Sequence, residues 1–280
     1  MLECVVNVSE GRDPALIAEL ADAAGRSLLD VHSDADHHRS VLTMAGRHVE
    51  EDVRRVATVA VARLDLRRHV GVHPRLGVLD VVPFVVLDDG GSPAEPRQLA
   101  AAVEARDRMA QWAGRQLALP CFLYGPERSL PEVRRHAFVS LAPDCGPDEP
   151  HPTAGACAVG ARPVLVAYNL WLTTADVAAA RALAAAVRGP AVRALGLAVG
   201  RTTQVSFNLI DPSTVGPEQA YDAVAGAAGA VGISISRAEV VGLVPSSVVE
   251  AVSPGRRKAL DLDPERTIEA RLDSGRASMR

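Results

Sequence analysis

Two histidines and three arginines crowd into Arg67-Arg68-His69-Val70-Gly71-Val72-His73-Pro74-Arg75, which continues through Leu76-Gly77-Val78 into the apolar run Leu79-Asp80-Val81-Val82-Pro83-Phe84. A loop that delivers polar groups onto a rigid strand is where reactive side chains are usually held. An imidazole beside arginines is kept neutral by the nearby positive charge and then suits a general base. His69 and His73 have the i,i+4 spacing of a helical zinc pair. Gly71 and Pro74 break a helix there, and the glutamate of an HExxH motif is absent, so no metal is expected. A plain surface loop of solvated His and Arg explains the same residues equally well.

Two further clusters could do chemistry. His32-Ser33-Asp34-Ala35-Asp36-His37-His38-Arg39-Ser40 mixes carboxylates and imidazoles. It lacks the glycine and glutamate spacing of a calcium loop, so a solvated turn between strands is the better account than a metal site. Asp144-Cys145-Gly146-Pro147-Asp148-Glu149-Pro150-His151-Pro152-Thr153-Ala154-Gly155 has glycines that would let backbone N–H groups approach a ligand. Its composition alone favours an interdomain linker.

The elements that must position these clusters follow from periodicity. Leu2 to Val8 reads as a strand. Asp13 caps a helix to about Ser27, with Leu16, Ile17, Leu20 and Ala21 at helical spacing. Strands are expected at 28–32 and 40–45, a helix at 49–64, a strand at 78–87, a long helix at 96–118 and a strand at 120–124. The Gly- and Pro-rich stretch from Asp144 to Gly160 is the best boundary. Beyond it the order repeats: strand 163–172, helix 174–187, strands 194–200 and 204–210, helix 217–228, strand 233–244. Both halves therefore read β-α-β-β-α-β, the first with an extra helix and strand added, an α+β fold of two split βαβ lobes, with a cleft expected between them.

The chain has 280 residues, 48% of them hydrophobic, and a net charge of −4. Basic residues are dispersed and aromatics few, against the clustered basic face and stacking platforms of nucleic-acid binders. No window approaches the ~20 apolar residues of a membrane span, and no signal peptide is visible. Cys4, Cys121, Cys145 and Cys157 have no CxxC spacing. A reduced, cytoplasmic setting is expected, with the thiols as small core hydrophobes.

At these residues the chain resembles the formiminotransferase family. Glu3-Cys4-Val5-Val6-Asn7-Val8-Ser9-Glu10-Gly11 is similar to that family's ECxPNxSEG opening. Asp36-His37-His38-Arg39-Ser40-Val41 is similar to its x-x-N-R-[ST]-V segment. Gly71 to Phe84 matches G-x-H-P-R-[ML]-G-x-L-D-V-x-P-F, the most specific motif, and Leu123-Tyr124-Gly125 matches LYG. Asp144 to Asn169 aligns with D-x-G-P…G-A-R…A-[FY]-N. Gln204 to Asp211 and Val241 to Pro245 match QVSxNLxD and VGLVP.

The resemblance implies two ferredoxin-like subdomains, assigned to residues 1–160 and 161–280, a homodimer and a folate-binding cleft. It implies transfer of a formimino group between formiminoglutamate and tetrahydrofolate, as in histidine breakdown, without a metal. The family's catalytic His falls on His73. Its folate-contacting stretch falls on Gly146, Pro147, Asp148, Glu149, Pro150, His151, Pro152, Thr153, Ala154 and Gly155. Asn7, Arg39 and Arg75 are expected to hold substrate, the arginines by bidentate contact with carboxylates. The cyclodeaminase half seen in two-function relatives is not expected. The chain also departs from the pattern. Val70 and Val72 stand where Lys and Glu are usual, His38 where Asn is usual, and His32 where Asp is frequent. Asp148 and Glu149 stand where apolar residues are usual, and they repel an anionic folate tail unless they point to solvent. A relative serving another amine, and a ligand-binding relative without turnover, stay open as alternatives.

Overall fold

The computed structural model describes residues 1–72, 74–88, 90–93 and 99–277, the last three as backbone only. The chain divides into two compact units, one holding 1–89 and 93–163, the other 90–92 and 164–280.

The first unit opens with β1 (Leu2–Val8) and α1 (Pro14–Ala24). Asp13 caps the helix by accepting from Ala15 N–H at 2.9 Å and Leu16 N–H at 3.2 Å, Pro14 fills its first turn, and Gly25 ends it with φ 55°. The cap contributes about 1 kcal/mol. The hairpin β2 (Leu28–Asp34) and β3 (Arg39–Ala45) follows, then α2 (Val49–Arg63), β4 (Leu79–Val86), α3 (Ala100–Gln116), β5 (Cys121–Tyr124), α4 (Leu130–His136) and β6 (Cys157–Ala161). The sheet order is β2-β3-β1-β4-β6-β5. Its first four strands are antiparallel, in the order of a split βαβ fold, and β4, β6 and β5 run parallel. Cys4, Val6 and Val8 alternate onto the face covered by α1, α2 and α3, together with Leu42, Met44, Phe84 and Val159. Across the far strands the other face is covered by α4, with Val133 packed against Phe122, Tyr124 and Ala158.

Two elements of this unit differ from the sequence-based expectation. The stretch expected as a linker ends in β6, which is inserted between β4 and β5 rather than joining two lobes. A short helix, α4, occupies a region to which periodicity assigns no element. The first α-helix stops at Ala24, and a 3-10 turn over Gly25–Ser27 carries the helical path to the expected end.

The second unit contains β7 (Val166–Leu172), α5 (Val177–Ala186), β8 (Val192–Val199), β9 (Thr202–Leu209), α6 (Pro217–Gly229) and β10 (Ile235–Val241). Its antiparallel sheet has the order β10-β7-β9-β8, again that of a ferredoxin-like fold. Tyr168, Leu170, Val205 and Phe207 form its core with α5, α6 and the short helix α7 (Ser246–Glu250), and a second short helix, α8 (Pro254–Arg257), follows without a buried side chain. A last helix, α9 (Ile268–Ala277), follows. The fold is thus α+β, with two separate sheets.

Candidate active site

In the first unit, three segments far apart in sequence meet at the end of β1. Ser9 N–H donates to Val78 O at 2.8 Å and its hydroxyl to Gly77 O at 2.9 Å. The Ser40 hydroxyl donates to Glu10 O at 2.6 Å. The Ser9-Glu10-Gly11 turn, the 34–40 turn and the 66–78 segment are therefore one polar assembly.

Glu10 is its anionic centre. One carboxylate oxygen accepts the backbone N–H groups of Gly11, Arg12 and Asp13 at 2.8, 2.7 and 3.0 Å. The same oxygen faces His38 Nε2 at 3.2 Å. Burial pushes this carboxyl up, but the three amides and the His38 charge outweigh it, so Glu10 is held below the ordinary carboxylate range.

His38 sits in the left-handed region, φ 51°. Its Nδ1 lies 3.0 Å from Val70 O, and its ring stacks on His69 with centroids 4.0 Å apart and planes 23° from parallel. His69 Nε2 is 2.8 Å from His38 O. Arg75 Nη1 lies against the His69 ring, contacting both Nδ1 and Nε2. The carbonyl only accepts and Arg75 only donates, and a neutral His69 with its proton on Nε2 satisfies both. Burial lowers the Arg75 guanidinium, with Asp80 opposing and Arg134 adding to the shift. Arg75 Nη2 also reaches His37 O at 3.5 Å. Behind this layer His37, almost wholly buried, pairs through Nδ1 with Asp34 at 3.0 Å. Burial raises the Asp34 carboxyl, and the His37 contacts overcome this and hold it well below its ordinary value.

Glycine is required where the segments touch. A Cβ on Gly71 would lie 2.5 Å from His37 O and 2.8 Å from His38 Cβ. Asp80, 2% exposed, anchors the far end of the loop. It accepts from Leu76 N–H at 2.6 Å and from Arg134 on α4 at 2.6 and 3.2 Å. A cavity of ≈ 210 Å³ opens beside the assembly, walled by Ser9, Glu10, Leu16, His38, Arg63, Leu64, Asp65, Arg68 and His69.

The stretch 146–155 divides into two parts. His151 and Gly155 exchange backbone hydrogen bonds at 2.8 and 3.0 Å, and His151 Nδ1 accepts from Ala154 N–H at 3.0 Å, closing a tight turn. That turn is tied to the histidine loop: Leu66 N–H donates to Thr153 O at 2.7 Å, Val78 N–H to Ala154 O at 2.9 Å, and Ala156 N–H to Leu76 O at 3.1 Å. Gly146 instead rests against Gly114 and Leu119 at the end of α3. Pro147, Asp148, Glu149, Pro150 and Pro152 are exposed, so the two acids do point to solvent.

Asn7 and Arg39 lie on neighbouring strands, with Arg39 Nη1 donating to Asn7 Oδ1 at 3.4 Å. Arg75 is joined to His69 in the same assembly. His73 lies outside the described residues. The groups that sequence reasoning left without a role are Glu10, His38 and His69. Each stands inside a motif already noted, but its partners lie about 30 residues away in the chain. Among the described residues no group of three metal-ligating side chains occurs, and no helix is long and apolar enough to cross a membrane.

The second unit carries its own polar sheet face. Gln204, Ser206 and Asn208 alternate with the core residues Val205, Phe207 and Leu209. Glu239 accepts from Asn169 Nδ2 at 3.2 Å and Trp171 Nε1 at 2.9 Å, and Arg237 lies 4.1 Å over the Trp171 ring. The fully buried Gln204 carboxamide finds no hydrogen-bond partner among the described residues.

Comparison with known proteins adds four findings. The model of the family described as "Formiminotransferase domain, N-terminal subdomain" matches residues 1–162. A glutamate formimidoyltransferase of Streptococcus pyogenes serotype M1 is 32% identical, over 96% of this chain and 97% of that protein. A formimidoyltransferase-cyclodeaminase of Sus scrofa is 31% identical over 88% of this chain, which spans 50% of that longer protein. A glutamate formimidoyltransferase of Thermoplasma acidophilum is 29% identical over 98% of this chain.

Proposed function

The chain belongs to the formiminotransferase family, and we propose that it is a glutamate formimidoyltransferase, moving a formimino group between N-formimino-L-glutamate and tetrahydrofolate. The observation that carries this is the hydrogen bonding of the 151–155 turn to both ends of the 66–78 segment. It ties the stretch assigned to folate to the loop assigned to catalysis, inside one compact unit. Tetrahydrofolate is the co-substrate, no metal takes part, and the setting is a cytoplasmic homodimer acting in histidine breakdown.

Transfer requires an amine to attack the amidine carbon. The attacking nitrogen then loses a proton and the leaving nitrogen gains one. His73 is assigned both steps, since a neutral imidazole can accept and return a proton in turn. Asn7, Arg39 and Arg75 are assigned to substrate. The intramolecular contacts of Arg39 with Asn7 and of Arg75 with His69 keep these guanidinium groups oriented before a carboxylate arrives. The exposure of Asp148 and Glu149 supports a reading in which folate meets the backbone of 151–155 and the two acids stay in solvent.

A second reading has support in two side chains. Val70 and Val72 are 72% and 43% exposed, at positions where the family resemblance expects Lys and Glu. Apolar groups there favour a relative whose amine substrate carries less charge than glutamate.

The test is an assay of purified protein with tetrahydrofolate and formiminoglutamate, read as the absorbance of the cyclised folate product. Turnover is expected, and His73→Ala should lower it about 10²-fold with melting temperature and folate binding little changed. Turnover only with formimidoyl donors lacking a side-chain carboxylate would establish the second reading. No turnover with any such donor would refute both.

A further inference from the structure

We propose that His38 is a positioning residue, held as an imidazolium between the Glu10 carboxylate and the Val70 carbonyl and clamping residues 69–72 onto the 34–39 turn. Both ring nitrogens of His38 face groups that only accept: a carboxylate oxygen at 3.2 Å and a peptide oxygen at 3.0 Å. A neutral imidazole has one N–H and can satisfy one of them; the doubly protonated ring satisfies both. Glu10 cannot turn away to share a proton, because its contacting oxygen is fixed by three backbone amides.

The stack with His69 points the same way. Two imidazolium rings 4.0 Å apart would repel, so at most one of them carries charge. His69 takes the neutral role, since its Nδ1 accepts from Arg75 while Nε2–H donates to His38 O. The charge therefore belongs to His38. Its other charged neighbours along the cavity wall are Arg63, Asp65 and Arg68. Arg63 pairs with Glu19, and Asp65 bonds Arg67, so the carboxylate bonded to His38 itself is that of Glu10. Behind it, Asp34 is committed to His37.

The clamped loop leads directly to the Pro74-Arg75 segment. The Val72 N–H donates to Asp36 O at 3.4 Å, and Gly71 packs on His38 Cβ, so the loop is seated only while the turn and the clamp are in place. Losing the second His38 proton forces one contact to break, and the loop loosens as pH rises. In kinetic terms, and resting on the formimidoyl-transfer reading, His38 supplies the alkaline limb of the rate profile. A neutral His73 would supply the acid limb.

The experiment is imidazole 15N NMR of the full chain, with amide-exchange protection of Val72 followed across pH 5 to 9. His38→Asn serves for assignment and for test, because asparagine tolerates the left-handed backbone at this position. At pH 5.5 both His38 nitrogens should be protonated, and Val72 protection should fall as the second proton leaves. His38→Asn should show Val72 protection about tenfold lower and independent of pH, and should lose the alkaline limb of kcat. In Glu10→Gln the two transitions should move together to lower pH. A His38 ring with one bare nitrogen at pH 5.5, or native Val72 protection in His38→Asn, would overturn the clamp. Absence of formimidoyl transfer alone would refute the reaction, since the NMR and exchange readouts do not depend on turnover.

Discussion

At the scale of single residues, the assembly rests on Glu10. A carboxylate that accepts three amides and an imidazole is stabilising only while ionised. Its folded value lies below its unfolded value of about 4.3, so its contribution is complete above that pH and is lost as pH falls through the folded value. Glu10→Ala should therefore cost about 1–3 kcal/mol at pH 7, measured by urea denaturation. The gap to the native chain should shrink on acidification below about pH 4. A gap that stays constant to pH 3 would show that Glu10 does not act as a hydrogen-bonded anion. The residue types of this site were legible in the sequence, and its geometry was not. Ser9-Glu10-Gly11 and His37-His38-Arg39 each look like an ordinary turn. Only the antiparallel register of β1 with β3, which sets Val8 opposite Ser40, brings Glu10 to His38. Removing His69 as His69→Ala should shift Arg75 and lower kcat/KM by about tenfold, because the ring is one of the arginine's partners. An unchanged kcat/KM would mean that Arg75 finds its position without it.

At the scale of elements, the loop is fastened by a strand and a helix through Asp80 and Arg134. The carboxylate is buried, and removing it strands a guanidinium and the Leu76 amide. Asp80→Ala should cost about 3 kcal/mol, the low end for a broken buried pair because Arg134 keeps some contact with water. It should also loosen residues 74–78. A loss under about 1 kcal/mol would place this pair with ordinary surface bridges. The helix that carries Arg134 had a readable signature: Ser129 and Glu132 form a reciprocal capping box around Pro131. It is a single seven-residue element with one buried side chain, Val133, so hydrophobic periodicity could not reveal it. β6 was hidden for another reason. A strand flanked by parallel neighbours is buried on both faces and shows no alternation. In Cys157-Ala158-Val159-Gly160-Ala161 the small residues read as linker. Their size is what lets the Tyr124 ring lie on Gly160, where a Cβ would sit 2.1 Å from the ring.

At the scale of the whole molecule, the order of strands and helices was the strongest signal in the sequence. The repeated β-α-β-β-α-β pattern emerges as two sheets with the same connectivity, extended in the first unit by two parallel strands. Alternation carried this reading because each antiparallel strand shows one face to its helices, as in Val205, Phe207 and Leu209. For the assembly, the family resemblance predicts a homodimer with closed two-fold symmetry. Sedimentation at micromolar concentration should give twice the chain mass of 29.4 kDa, and a single monomeric boundary would refute it. The strand order also bears on how the polypeptide is made. Among the described residues β5 pairs with the sheet only through β6, which is synthesised after it. On the ribosome the four antiparallel strands can close once residue 86 has emerged. Cys121 to Tyr124 must then wait, with an unpaired parallel edge on β4, until residue 161 is out. A nascent chain stalled in that interval carries an open strand edge, the kind of surface that recruits chaperones or other unfinished chains. Release of the segment 157–161, rather than of the last residue, is the moment at which the β4 edge can be covered and β5 can join the sheet.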